Sequence, residues 1–289
     1  MKITEVLTLV AIALSCLVSA GCGNSLADSS NYSDNQISGK ITVSGSSTIA
    51  PLVGEIAARF EEQYPAVRID VQSGGSSRGI RDTLQGNVDI GMSSRELKDS
   101  ELAEIDSTAI GWDGVAFLVS AQNPVSTLTN EQLVSIYTGK VNNWKSLGGN
   151  DSPIVVSNRA EGRSEQTLMS SYLGLNPSQI KAHTIDGETQ QSIKTVATNR
   201  NAIIYTSLGA ARFAADNGES VKLLPLNGVP AAISRVQSGE FPLARPLLLM
   251  KRGDSRKELV DLFIEFCQSP ANDDLVEGLG FVSPQRTVD

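Results

Sequence analysis

The chain has 289 residues, with 32 acidic against 24 basic side chains, a formal net charge of −8 and 40% hydrophobic residues. That acidic balance argues against nucleic acid, whose phosphates are met by clustered Lys and Arg. One histidine and three cysteines leave too few ligands for the usual zinc sites or a disulfide framework, so no metal and no cofactor is expected.

Residues 1–21 carry Lys2, then an apolar run through Leu7, Val10, Ile12, Leu14 and Leu17, and end in small residues before Cys22. This is the pattern of a cleaved export signal. Ser19-Ala-Gly-Cys22 resembles a lipobox, with Ser19 where Leu is usual; acylation of Cys22 would anchor the mature protein, and plain signal cleavage would leave Cys22 free. The Ser-, Asn- and Asp-rich stretch up to Gly39 reads as a flexible tether over residues 22–39. Roughly 250 residues follow, enough for one large or two modest cores.

From Lys40 the pattern alternates strand and helix, which predicts an α/β fold. Ile41 and Val43 mark a strand, and Leu52, Ile56, Ala57 and Phe60 recur at helical spacing after Pro51. Between them Ser46, Ser47 and Thr48 gather hydroxyls at a helix N-terminus, where unpaired N–H groups and the positive end of the helix dipole favour an anion. One such turn alone reads more simply as a cap. It recurs, however: Ser73-Gly-Gly-Ser-Ser-Arg-Gly79 follows the strand of Val67, Ile69 and Val71 and opens a helix with Ile80 and Leu84. Two such junctions imply two N-termini aimed at one ligand.

Val88-Asp-Ile-Gly-Met-Ser-Ser-Arg95 is a short strand ending in hydroxyls and an arginine, and 96–106 reads as an acidic, solvated helix. Ile110–Ser120 is a strand suited to cross between lobes. Leu128-Thr-Asn-Glu131 offers an N-cap with an acidic first turn for a helix carrying Leu133, Val134 and Ile136, and 137–149 reads as a polar loop punctuated by glycine. Ile154-Val-Val156 leads through Asn158-Arg-Ala-Glu-Gly-Arg-Ser-Glu165 into a helix with Leu168, Met169 and Tyr172. This third junction carries Arg159 and Arg163. Cys267, beside Phe263, Ile264 and Phe266, reads as buried core. His183 reads as a surface or helix-end residue.

Taken in order, GSSTIAPL (45–52), GGSSRGI (74–80), VDIGMSSRE (88–96), IYTGKVNNWKSLGG (136–149), IVVSNRAEG (154–162), VATNRNAIIYTSLGAA (196–211), RPLLLMKRG (245–253) and GLGFVSP (278–284) resemble the substrate-binding proteins of bacterial phosphate ABC transporters. The resemblance implies a type II periplasmic-binding-protein fold: two α/β lobes, 40–115 with 243–289 and 116–242, joined by strands crossing near 112–120 and 241–249. It also implies a phosphate site of Ser46, Ser47 and Thr48 in the first turn, Ser76 in the second, Ser94 and Arg95 after the next strand, and Arg159, Gly162, Arg163 and Ser164 from the other lobe. Arg offers such an anion a planar fork. The sequence departs from the family twice. Ser94 stands where many members carry an Asp that accepts the proton of hydrogen phosphate, and Gly162-Arg-Ser-Glu165 replaces the commoner Gly-Ser-Gly-Thr. Glu165 reads mainly as a first-turn helix residue; in the sharper alternative, Glu161 or Glu165 takes over as proton acceptor.

The expected function is capture of inorganic phosphate outside the cytoplasm by a lipid-anchored, monomeric solute-binding protein that delivers it to an ABC permease. Other readings are a different oxyanion (sulfate, arsenate or molybdate) and a phosphate sensor or scavenger without transport. A secreted phosphatase is disfavoured, because no histidine base or metal cluster accompanies Ser47 or Ser76. No catalytic residue is assigned.

Overall fold

The computed structural model describes residues 37–284. The export signal, Cys16, Cys22 and nearly all of the tether lie outside the described residues. Each junction read from the sequence becomes a strand, a turn and a helix: β1 (Gly39–Gly45) into α1 (Ala50–Gln63), β2 (Val67–Ser73) into α2 (Ser76–Leu84), then β3 (Ile90–Ser93). A single turn, α3 (Asp99–Leu102), leads to β4 (Ile105–Ser120), and α4 (Asn130–Tyr137) follows. The second set is β5 (Val155–Arg159) into α5 (Ser164–Leu173), β6 (Thr184–Asp186) into α6 (Thr189–Thr198), β7 (Ala202–Ser207) into α7 (Leu208–Asp216), then β8 (Val221–Leu224) and α8 (Ile233–Gln237). The chain returns through β9 (Ala244–Arg252) and closes with α9 (Glu258–Cys267) and α10 (Asp273–Gly278).

The strands hydrogen-bond in the order β2-β1-β3-β9-β4-β7-β5-β6, with β8 also on β4. Strand β4 belongs to both halves of this array. Its first part runs antiparallel to β9, with Asp113 opposite Arg245, and its last residues pair with β7 and β8. One main core surrounds Ile41, Leu52, Phe60, Leu249 and Phe263. The other surrounds Phe117, Tyr137, Trp144, Met169 and Tyr205. The architecture is therefore two α/β lobes connected by long antiparallel strands. In the first core, Phe60 meets Tyr64, Phe263 and Phe266 at ring-centroid distances of 4.6, 5.2 and 5.1 Å. Full burial of one such ring stabilises by roughly 2–3 kcal/mol.

Two elements differ from the sequence reading. The acidic helix expected over 96–106 shrinks to α3, a turn with no buried residue and so no apolar stripe to hold a longer helix on the core, while Leu97 and Ile105 on either side drop into a small cluster with Ile80, Leu248 and Met250. Ile105 is instead the start of β4, opposite Arg252. The loop 137–149 is polar by composition, yet its aromatic residues are core: Trp144 is buried and its indole N–H donates to the Asn201 carbonyl at 2.9 Å. Cys267 is buried, as expected, and burial pushes its thiol pKa up. His183 is exposed, and its Nδ1 accepts the Val156 backbone N–H.

Close approach at Gly79 seats α2 against the sheet. A Cβ there would lie 2.6 Å from the Met92 carbonyl oxygen and 2.8 Å from the Gly45 Cα. Both are backbone atoms and cannot rotate away. Gly79→Ala should therefore lift α2 and cost about 1–3 kcal/mol in a denaturant titration. An unchanged midpoint would show that α2 is not held by this contact.

Candidate functional site

Strands β1, β2, β5 and β6 each lead directly into a helix, so their C-terminal ends and the helix N-termini face one crevice, the usual ligand position in open α/β sheets. The hydroxyls at these turns are not spent on caps. Helices α1, α2 and α5 have Ile49, Gly75 and Arg163 as their N-cap residues, and none has a side-chain cap hydrogen bond. Of their leading N–H groups, that of Ser77 meets the Gly162 carbonyl across the cleft, and no cap side chain takes the others.

Ser94, at the end of β3, is the hub. Its Oγ lies 2.8 Å from Ser46 Oγ, 2.8 Å from Ser164 Oγ and 3.5 Å from Ser76 Oγ, and its N–H donates to Ser76 Oγ at 3.1 Å. The Thr48 hydroxyl donates to Glu165 Oε1 at 3.0 Å, and Ser47 Oγ lies 3.3 Å from Thr189 Oγ1. The Gly162 carbonyl accepts the Ser77 N–H at 3.2 Å, and Ser73 Oγ donates to Glu188 at 2.9 Å. These bonds join residues 46–94 to residues 162–189, so the two lobes meet across the cleft.

Arg159 is fully buried at the end of β5. Its Nη1 donates to the Glu188 carbonyl at 2.7 Å and to Ser192 Oγ at 2.6 Å. Its Nε and Nη2 have no hydrogen-bond partner; Glu165 Oε2 is 3.8 Å from Nη2. Arg163 gives Nη2 to Glu188 at 3.0 Å, while its buried Nη1 is also without a partner. Arg95 is not brought into the cluster. Its guanidinium forks onto both Glu101 oxygens at 2.9 Å and also bonds the Glu96 carbonyl, because α3 turns that carboxylate back toward it.

Two charged residues that the sequence reading passed over complete the site. Arg245 and Asp113 face each other across β9 and β4 and are joined at 2.8 Å through Nη2 and 3.2 Å through Nε. Arg245 then reaches Ser164 Oγ (2.8 Å), Ser94 Oγ (3.2 Å), Thr48 Oγ1 (3.1 Å) and Glu165 Oε1 (3.3 Å). The signal was present as one acidic and one basic side chain, each interrupting an otherwise apolar crossing strand. Of the two carboxylates offered by the third junction, Glu161 is exposed and Glu165 is buried in the network. Burial alone would raise the Glu165 pKa, but the charges of Arg245 and then Arg159, with a backbone N–H and the Thr48 hydroxyl, outweigh it and hold the carboxyl at about 2.

The comparisons with known proteins bear on this geometry. The pattern of the PBP superfamily domain matches residues 30–271, and phosphate-binding protein PstS of Bacillus subtilis (strain 168) is 30% identical over 255 residues, covering 84% of this chain and 82% of its own. The chain belongs to this family of binding proteins. A substrate-binding protein from Clostridium perfringens, crystallised with bound phosphate, superposes with a TM-score of 0.79 at 31% identity, covering 86% of this chain and 100% of its own. An ABC-type phosphate transport receptor from Vibrio cholerae gives 0.69 at 30% identity, covering 84% and 100%.

Because the folded-state pKa of Glu165 lies below its ordinary value of 4.5, its stabilisation is complete above pH 4.5 and is lost as pH falls through about 2. Glu165→Gln should lower stability near neutral pH by on the order of 2–3 kcal/mol, and that gap should close at low pH. Urea denaturation of both proteins across this range checks it, and a constant gap would contradict the assignment.

Proposed function

We propose that this protein captures inorganic phosphate in the cleft and delivers it to a membrane importer of the ABC class. The observation that carries the reading is the pair of unpartnered, fully buried N–H positions on Arg159. A buried donor without a partner costs more than an ordinary hydrogen bond returns, and more so on a cation. An oxyanion supplies acceptors with the geometry a guanidinium fork demands. The uncapped starts of α1, α2 and α5 and the hydroxyls of Ser46, Ser47, Thr48, Ser76, Ser94 and Ser164 supply further donors, with Gly162 shaping the turn and Arg163 closing it. The names of the family relatives support phosphate as the anion.

In this reading residues 40–115 and 243–289 form the lobe that receives the anion, and 116–242 form the lobe that closes on it with Arg159. The protein works as a monomer outside the cytoplasm, held by acylated Cys22. In this reading it is not an enzyme: its single histidine, the one imidazole that could serve as a base, is an exposed residue bonded to a backbone N–H. Ser94 Oγ accepts a hydrogen bond from Arg245 and lies 2.8 Å from the hydroxyls of Ser46 and Ser164. A serine can donate as well as accept, so discrimination against fully deprotonated sulfate is weaker than an Asp at this position would give.

Isothermal titration of the purified protein, dialysed free of carried-over anion, with phosphate, sulfate, arsenate and molybdate tests this. Phosphate and arsenate should bind more tightly than sulfate, and Arg159→Ala should weaken phosphate about a hundredfold, or roughly 3 kcal/mol. Silence toward phosphate, or unchanged affinity in the variant, would overturn the reading.

A further inference from the structure

Glu165 engages donors that the anion-capture reading assigns to the ligand. Its Oε1 accepts from Thr48 Oγ1 at 3.0 Å and from Arg245 Nη2 at 3.3 Å, and its Oε2 lies 3.4 Å from Ser164 Oγ and 3.8 Å from Arg159 Nη2. A carboxylate placed to accept a proton from bound ligand would point at the ligand. Glu165 points instead at the ligand's donors. Its bond to Thr48, together with that between Ser94 and Ser164, also ties the lobes together through protein groups alone.

We propose that Glu165 is a built-in competitor for the anion site: its carboxylate closes the cleft on Thr48, Arg245 and Arg159, and an incoming oxyanion binds by displacing it. The proposal rests on the anion-capture reading and adds how that site is regulated. The competition is one the ligand wins by number of acceptors. A carboxylate has two oxygens, whereas phosphate has four, and the N–H positions Glu165 leaves unpartnered, Arg159 Nε and Nη2 and Arg163 Nη1, are there for the extra ones. Arg245 loses little in the exchange, because Asp113 still holds it through two hydrogen bonds. Affinity is thereby set by the difference between two anions and not by the full strength of the arginines.

Small-angle scattering and phosphate titration of wild type, Glu165→Gln and Thr48→Val decide it. Anion-free wild type should be nearly as compact as its phosphate-saturated form, while anion-free Glu165→Gln should be more extended and compact only on adding phosphate. Phosphate affinity of Glu165→Gln should rise about tenfold, as expected if roughly nine-tenths of wild type is self-closed. Thr48→Val, which removes the hydroxyl that donates to Glu165 and accepts from Arg245 but leaves the Glu165 carboxylate in place, should extend the anion-free protein in the same direction and stands in for the scattering comparison if Glu165→Gln does not fold. Equal anion-free dimensions in wild type and variants would overturn the proposal. So would weaker phosphate binding by Glu165→Gln, which would assign Glu165 to the ligand's proton. If no protein binds phosphate, the capture reading fails, and the scattering comparison still decides whether Glu165 closes the cleft.

Discussion

The ion pair between Asp113 and Arg245 is the constraint on which the rest of the site depends. Removing both charges from water costs several kcal/mol each unless every polar atom is met. For Arg245 this condition is fulfilled: Nε, Nη1 and Nη2 all donate, to Asp113, Ser94, Ser164, Thr48 and Glu165. Asp113 in turn accepts the Gly209 N–H at the start of α7. The pair sits in register on the strands that connect the lobes, so it fixes the place against which both halves of the cleft close.

Arg159 shows the opposite arrangement, and the contrast separates the roles of the two arginines. Both are buried, but only Nη1 of Arg159 is hydrogen-bonded within the protein. A guanidinium saturated by its own chain positions its neighbours, whereas one with open N–H groups is prepared for an anion. Around them, uncapped helix starts provide partial positive charge without adding full cations, which suits a protein whose overall charge is −8. Binding strength here is local and owes nothing to long-range attraction.

Much of this was legible in the chain. The strand–hydroxyl–helix junctions at 43–51, 67–80 and 154–165 gave the elements, the shared crevice and the candidates Ser46, Ser76, Ser94, Arg159 and Ser164, because local periodicity and turn chemistry are short-range properties. Partner choice is not. Arg95 lies beside Ser94 in sequence, yet Glu101 takes it; Arg245 lies 151 residues from Ser94 and bonds it. Glu165 looked like a helix-dipole residue, and only the tertiary fold puts Thr48 and Arg245 within reach of its carboxylate. Trp144 stood in a polar loop, and its burial comes from the packing of the second core. Each of these is set by a long-range contact that spacing along one chain does not encode.

The most direct measurement is a crystal structure of the purified protein soaked with arsenate, whose anomalous scattering marks the anion's position. The account predicts arsenic in the cleft, with its oxygens on Arg159 Nε and Nη2 and on the hydroxyls of Ser76 and Ser164, Arg245 still paired with Asp113, and Glu165 withdrawn from Thr48. Arsenic bound away from Arg159, or arsenic in the cleft with the bond between Glu165 and Thr48 intact, would contradict it.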